Sequence, residues 1–310
     1  MEATPDHAAV GTPSPPSGLL LVDKPGGITS HDVVARTRRA LGTRKVGHAG
    51  TLDPMATGLL ILGIGASTRL LTWIVGADKT YETVIRLGAA STTDDAEGEL
   101  GPAASADALA AVTEGRIRDA VGALTGEILQ RPSSVSAIKV DGKRAYARVR
   151  AGEEVVLDSR AVRVHRFDTV AISRTDGAID VRAVVECSSG TYIRALARDL
   201  GEALGVGGHL TALRRTRVGP FDVSDATLLD GDLAGAVMTA RDAAAELFPV
   251  VELSDQQATD LGHGKRVSLS IEDGAPLAAV ASGGRLIGLV DVKDGSARVL
   301  VNFPTDGVGS

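Results

Sequence analysis

Gly47-His48-Ala49-Gly50-Thr51-Leu52-Asp53-Pro54-Met55-Ala56-Thr57-Gly58 is the stretch on which the reading of this chain turns. From Thr43 to Thr57 the sequence is glycine-rich and polar, which predicts a loop, and Leu59 to Ile64 reads as a buried strand. Such a loop presents Asp53 from a rigid base. An Asp before Pro in a glycine-rich loop is, by itself, most often a turn former. Catalysis is the sharper alternative, and the loop alone does not decide between them.

Outward toward the N-terminus, Gly18 to Val22 predicts a strand, followed by a glycine turn through Asp23-Lys24-Pro25-Gly26-Gly27-Ile28-Thr29-Ser30. Ser30 is the expected N-cap of a helix with Asp32 in its first turn, Val34, Thr37 and Leu41 on one face, and Gly42 as its stop. Toward the C-terminus, Ser67 to Val75 reads as a short helix. Thr80 to Leu87 alternates as a strand with Tyr81, Thr83, Ile85 and Leu87 on one side. An acidic loop spans Ser91 to Ser105, and Ile117, Val121 and Leu124 mark an amphipathic helix. Val162 with Val164, then Ile179, Val181, Ala183, Val185 and Cys187, have the period of half-buried strands around a turn at Asp176-Gly177. Ser188 to Thr191 opens a helix striped by Ile193, Leu196, Ala197, Leu200 and Leu204 and closed by Gly205 to Gly208. Further strands are expected at Leu277 to Ala281, Leu286 to Val292 and Ala297 to Val301. Runs of strands with separate helices point to an α+β fold rather than regular βαβ units.

Composition narrows the class. With 310 residues, 44% hydrophobic and 23% charged, the chain fits one large core plus a small appended domain. Its longest apolar stretch, Gly58 to Ala66, falls far short of the roughly 20 residues of a membrane-spanning helix. The single cysteine, Cys187, excludes an internal disulfide and reads as a small buried hydrophobe, which fits a cytoplasmic protein. The six histidines lack ligand spacing, so no metal is expected.

The net charge of −6 argues against a polyanionic partner, but its distribution is polarised. Arg36, Arg38, Arg39, Arg44 and Lys45 form one basic cluster, the stretch from Arg131 to Arg166 a second that includes Lys139 and Arg144, and Arg214, Arg215 and Arg217 a third. Acids collect at Asp94, Asp95, Glu97 and Glu99 and from Asp225 to Asp260. Phosphates act on local charge, within about a Debye length, so three basic clusters around the chemistry-bearing stretches point to RNA. For any one cluster a solvated helix face explains the charge equally well.

Arg194 carries the second chemical signal. It falls in the first turn of its helix, after an expected cap at Thr191, where a cation opposes the helix macrodipole unless an anion holds it. A nearby Asp would resolve that conflict and would itself be kept ionised by the pairing, as a carboxylate nucleophile or base requires. A surface arginine reaching solvent is the plain alternative.

Five or more ordered motifs now bear on the choice. Asp23-Lys24-Pro25 with Gly27-Ile28-Thr29-Ser30, His48 to Gly58, Lys79-Thr80-Tyr81, Ser136-Ala137-Ile138-Lys139-Val140 with Gly142 and Arg144-Ala145-Tyr146, and Gly190-Thr191-Tyr192-Ile193-Arg194 resemble the motifs of the TruB family of tRNA pseudouridine synthases. Leu210, Leu213-Arg214-Arg215-Thr216-Arg217 and Gly219 continue the likeness, which covers roughly residues 18 to 221.

The resemblance implies a pseudouridine synthase fold with a mixed, largely antiparallel sheet and flanking helices, acting on uridine 55 in the T-arm of tRNA. It implies Asp53 as catalytic carboxylate, Tyr81 stacked on the target base, Arg194 paired with Asp53, and Tyr192 as a further active-site tyrosine. His48 is placed near the flipped-out nucleotides. Lys24, Arg44, Lys45, Lys139, Arg144, Arg214 and Arg215 are expected to contact RNA, with Pro25, Gly50 and Leu213 supporting the site and Lys24 sharing in that support.

The chemistry is consistent with those residue types. Isomerising uridine breaks the N1–C1′ bond and joins C5 to C1′ with no net redox change, so no cofactor is expected. The nucleotide has to be extruded, at a cost of a few kcal/mol, and an aromatic partner returns about 1–3 kcal/mol per base.

The expected organisation is a flexible tail over 1–17, a catalytic domain over 18–235, a connecting segment over 236–249 and a small β-rich PUA-like domain over 250–310. The expected partner is a tRNA T-arm stem–loop, bound by a monomer without membrane or metal. Two other readings remain open: an RNA-guided enzyme of the dyskerin type, and a tRNA-folding chaperone role carried by the basic faces.

Overall fold

In the computed structural model the described residues are 17–133, 139–140, 143–144, 158–175 and 177–303, with the side chains of 139, 140, 143 and 144 excluded. The expected tail, all but Ser17, lies outside them, as do the side chains of Lys139 and Arg144 and the turn residue Asp176.

The first described strand is β1 (Gly18–Lys24), followed by α1 (Ser30–Ala40), β2 (Val46–Ala49), β3 (Thr57–Ile64), α2 (Leu71–Val75) and β4 (Lys79–Leu87). Next come α3 (Ala106–Ala111), α4 (Glu114–Ala123), β5 (Gly126–Gln130), β6 (Lys139–Val140), β7 (Lys143–Arg144), β8 (Arg160–Thr175) and β9 (Ala178–Cys187). The chain continues through α5 (Ile193–Leu204), β10 (Gly208–Val218), β11 (Phe221–Asp222), β12 (Thr227–Leu228), β13 (Met238–Thr239) and α6 (Ala240–Leu247). It closes with β14 (Val250–Leu253), α7 (Asp255–Gly262), β15 (Val267–Ser268), β16 (Gly274–Ala281), β17 (Leu286–Lys293) and β18 (Ser296–Asn302).

The main sheet runs in the order β12-β1-β3-β10-β4-β9-β8-β5, with β2, β11 and β13 paired at its margins. Only β1 with β12 and β3 with β10 pair in parallel, so the sheet is mixed and largely antiparallel.

Two cores share its central strands. Leu20 and Val22 of β1 and Leu60 and Leu62 of β3 face one core with α1, α4 and α5. Leu19 and Leu21, with Leu59 and Ile61, face a second core with α2, α6 and residues Ala278, Val280, Leu286 and Leu289 of the other sheet. Burial on both faces is why these strands read as unbroken apolar runs rather than alternating ones. Strands β4 and β9 alternate because their second face is partly open. The second sheet, β14-β16-β17-β18-β15, closes over α7 in a third core of Val251, Leu253, Leu261, Ile287 and Val290.

Three local expectations are corrected. The cap of α1 is Thr29, not Ser30: Thr29 and Asp32 make a reciprocal capping box, which frees the Ser30 hydroxyl for another task. The stretch read as loop from Thr43 contains β2, whose His48 lies opposite Leu62. Its glycine at position 47 hides it from a propensity reading. Helix α5 begins after an N-cap at Tyr192 that makes no side-chain cap bond, whereas the Thr191 hydroxyl donates to Ser188 O at 3.0 Å.

Candidate active site

The loop joining β2 to β3 carries Asp53, and three buried side chains fasten it. Lys24 Nζ donates to Pro25 O (2.9 Å), Ile28 O (2.8 Å) and Pro54 O (3.1 Å). The Ser30 hydroxyl accepts from Leu52 N–H at 2.9 Å and donates to Leu52 O at 3.1 Å. Arg215 donates through Nε to Leu59 O at 2.8 Å and through Nη2 to Gly50 O at 3.0 Å.

Two glycines are required here. Gly58 has φ +98° and lies so close to β10 that an added Cβ would sit 2.2 Å from Arg215 O. Gly50 has φ +82°, with Arg215 Nη1 at 3.4 Å from its would-be Cβ.

Asp53 and Arg194, 141 residues apart in sequence, meet side-on. Arg194 Nε lies 3.0 Å from Asp53 Oδ2 and Nη2 lies 3.2 Å from Oδ1. Arg194 Nη1 reaches Asp95 Oδ2 at 3.4 Å and donates to Thr93 O at 3.0 Å and Ser133 Oγ at 3.4 Å. The cation in the first turn of α5 is thus held by two carboxylates, which removes its conflict with the helix dipole. Beside it, Gln130 clamps the backbone of Tyr192, accepting from Tyr192 N–H at 2.8 Å and donating to Tyr192 O at 3.1 Å.

The pair lies at the wall of a cavity of about 270 Å³. Gly50, Asp53, Tyr81, Tyr192, Leu213 and Arg215 line it, together with Lys79 and the Ser189–Thr191 turn. Tyr81 is nearly enclosed and burial pushes its phenol up, so it enters as a neutral ring. The Asp53 side chain keeps 35% exposure toward the opening while Arg194 keeps 5%.

Burial pushes the Asp53 carboxyl above the usual carboxylate range; Arg194 opposes the push and Asp95 adds to it. The expected pairing is there, yet desolvation outweighs it. What results is a carboxylate that water solvates poorly and that one guanidinium holds in a fixed orientation.

Two assignments to RNA phosphates are corrected. Lys24 and Arg215 are both fully buried. All three Lys24 donors are taken by carbonyls, and burial lowers its ammonium to about 8. Neither side chain can reach a backbone phosphate, and both act as braces of the Asp53 loop.

Arg214 is partly exposed but already grips Asp23 through two bonds of 2.9 and 2.7 Å. Arg44 and Lys45 are exposed. His48 is half-buried, its ring in a T-shaped contact with His31 at 5.6 Å, and among the described residues Nδ1 has no hydrogen-bond partner. Burial first, then His31, lowers its basicity, which favours the neutral ring. Pro25 contributes its carbonyl to Lys24, and Leu213 is buried at the cavity wall.

Sequence reading missed Asp95, Ser133 and Gln130. Asp94 and Asp95 fall in the stretch expected as an acidic loop, and both are buried against α5. Among the described residues no group of three or more His, Cys, Asp or Glu is placed to hold a metal ion, and no helix is long and apolar enough to cross a membrane.

A mixed sheet thus carries a loop-borne aspartate locked to an arginine at the wall of a cavity of about 270 Å³. Solved structures share the fold. An H/ACA RNP bound to a substrate RNA containing 2′-deoxyuridine matches 97% of this chain and 94% of that chain at TM-score 0.68 and 24% identity. A Cbf5-Nop10-Gar1 complex matches 92% and 84% at TM-score 0.66 and 27% identity.

Family models described as the N-terminal domain of TruB family pseudouridylate synthase, the tRNA pseudouridylate synthase B C-terminal domain, and tRNA pseudouridine synthase II, C terminal, match residues 38–193, 194–255 and 248–304. The tRNA pseudouridine synthase B of Leifsonia xyli subsp. xyli is 63% identical over 94% of this chain and 97% of its own length. That of Thermobifida fusca is 53% identical over 92% and 98%. The chain belongs to the TruB family of pseudouridylate synthases.

Proposed function

We propose that this chain converts uridine 55 in the T-arm of tRNA to pseudouridine, with Asp53 as the reacting carboxylate. The observation that carries the reading is the side-on Asp53–Arg194 pair, 3.0 and 3.2 Å, at a cavity walled by Tyr81. The N1–C1′ bond breaks, the base turns, and C5 joins C1′. The C5 proton leaves to solvent and N1 takes one, so the formula is unchanged.

Arg194 opposes the burial that would protonate Asp53 and keeps the carboxylate aimed. Tyr81 offers its face to the extruded uracil, where stacking is worth about 1–3 kcal/mol, and Tyr192 also lines the cavity. His48, as a neutral ring, stands beside the unstacked loop, while Arg44, Lys45 and Arg214 border it with charge. The catalytic domain is assigned to residues 18–235, a connecting segment to 236–249 and a PUA-like domain to 250–310. The protein acts as a monomer in the cytoplasm. The names of relatives more than half identical over nearly their whole length favour a stand-alone enzyme over a guided one.

The test is tritium release from a C5-tritiated T-arm stem–loop without guide RNA or metal. Release is expected from the wild type, lost when position 55 of the stem–loop is cytidine. Release that appears only with a guide RNA overturns the reading.

A further inference from the structure

Arg194 is not held by Asp53 alone; its direction depends on Thr93 O and Asp95 Oδ2, which belong to the loop after β4. Between those two residues stands Asp94, whose backbone lies in the left-handed region at φ 62°. Asp is among the few non-glycine residues that adopt this region, and two contacts fix Asp94 in it. The backbone part is Leu210 N–H donating to Asp94 O at 3.0 Å.

The side-chain part is Arg198, one helical turn beyond Arg194 on α5. Its Nη1 meets Asp94 Oδ2 at 3.3 Å, with exposures of 11% and 12%. The rest of the guanidinium is fixed by Asp199 Oδ1 at 2.7 and 2.9 Å and by Arg131 O at 2.8 Å. Consecutive loop residues therefore grip two arginines spaced i and i+4 on one helix face, Asp94 taking Arg198 and Asp95 taking Arg194.

Resting on the function proposed above, we infer that Arg198 is a positioning residue: through Asp94 it holds the 93–95 loop in register with α5, and so keeps Arg194 aimed at Asp53. Releasing Arg198 frees the Asp94 carboxylate from α5 and lets the loop carry Thr93 O and Asp95 away from Arg194. Two opposing influences on Asp53 then weaken together, the Arg194 charge that lowers its pKa and the smaller Asp95 charge that raises it, and the larger loss decides the direction. Lys24 from β1 and Glu97 from the same loop remain near, while the Arg194 contact loosens.

The test uses the full chain as wild type, Arg198→Met, Asp94→Asn and Arg198→Lys. Two readouts are taken: single-turnover tritium release from the C5-tritiated stem–loop across pH, and the titration of the Asp53 carboxyl by carbon NMR, assigned with Asp53→Asn. Urea unfolding gives the folded fraction for each variant.

For Arg198→Met and Asp94→Asn, kcat is expected to fall about tenfold or more with KM unchanged. Asp53 should titrate at higher pH than in the wild type. Arg198→Lys, which keeps the charge, restores most of the rate. An unshifted Asp53 titration in folded Arg198→Met overturns the inference, and so does a rate loss no larger than the loss of folded protein. A wild type without tritium release would overturn the proposed function, while the Asp53 titration would still decide the latch.

Discussion

Replacing Arg215 by Met separates two readings of that residue quantitatively. Its Nε and Nη2 bonds to Leu59 O and Gly50 O are charge-assisted, buried, and 2.8 and 3.0 Å long. Such bonds are worth about 1.5–3 kcal/mol each, so about 3–6 kcal/mol of gross interaction is lost. Relief from holding an ion out of water offsets part of this, leaving a net destabilisation of about 2–4 kcal/mol.

The Gly50 carbonyl it releases begins the loop that carries Asp53. A displacement of about 1 Å there lowers the chemical step on the order of a hundredfold. Urea unfolding, single-turnover rate at saturating stem–loop, and affinity across a salt series measure the three quantities. Stability and rate should both fall, while the salt slope of binding stays at the wild-type value. Wild-type stability and rate, with a slope shallower by about one, would mean that Arg215 sits on a phosphate and that the brace is wrong.

Arg194→Gln removes the cation that opposes the upward push on Asp53 and leaves Asp95 beside it. Since the rate requires ionised Asp53, the acid limb of the kcat/KM profile moves to higher pH, read from tritium release against pH; an unmoved limb refutes the pairing. Gly58→Ala forces a Cβ to 2.2 Å from Arg215 O at φ +98°, a cost of several kcal/mol, and should lower the urea midpoint sharply or prevent folding. Arg44→Ala with Lys45→Ala removes two exposed cations; binding should weaken and its salt slope drop by about one per lost phosphate contact, with the saturating single-turnover rate retained.

Much of the site could be read before any coordinates, and for identifiable reasons. The pairing of Asp53 with Arg194 is expected from the family resemblance; the helix-dipole rule local to α5 asks only for some anion beside Arg194 and leaves a solvent-facing arginine equally open. The strands β4 and β9, and the start of β8 at Val162 and Val164, were legible because one face of each is buried there, giving period two.

What escaped was non-local. Lys24 is expected to support the site, but it and Arg215 also look like surface cations by residue type, and only the convergence of β1, β3 and β10 on the Asp53 loop surrounds them with carbonyls. Asp94 and Asp95 sit in a stretch expected as an acidic loop, and Arg194 and Arg198 arrive from about 100 residues away to bury them. The choice between Thr29 and Ser30 as cap turned on Asp32 lying three residues beyond Thr29. The loss of β2 came from Gly47 within it.

The most direct measurement is single-turnover release of tritium from a C5-tritiated T-arm stem–loop by Asp53→Ala, alongside its equilibrium affinity for the same RNA. The account predicts no release above background and an affinity close to the wild type, because the carboxylate reacts with the extruded nucleotide and is not what binds the strand. Release by Asp53→Ala at a rate near that of the wild type would contradict it.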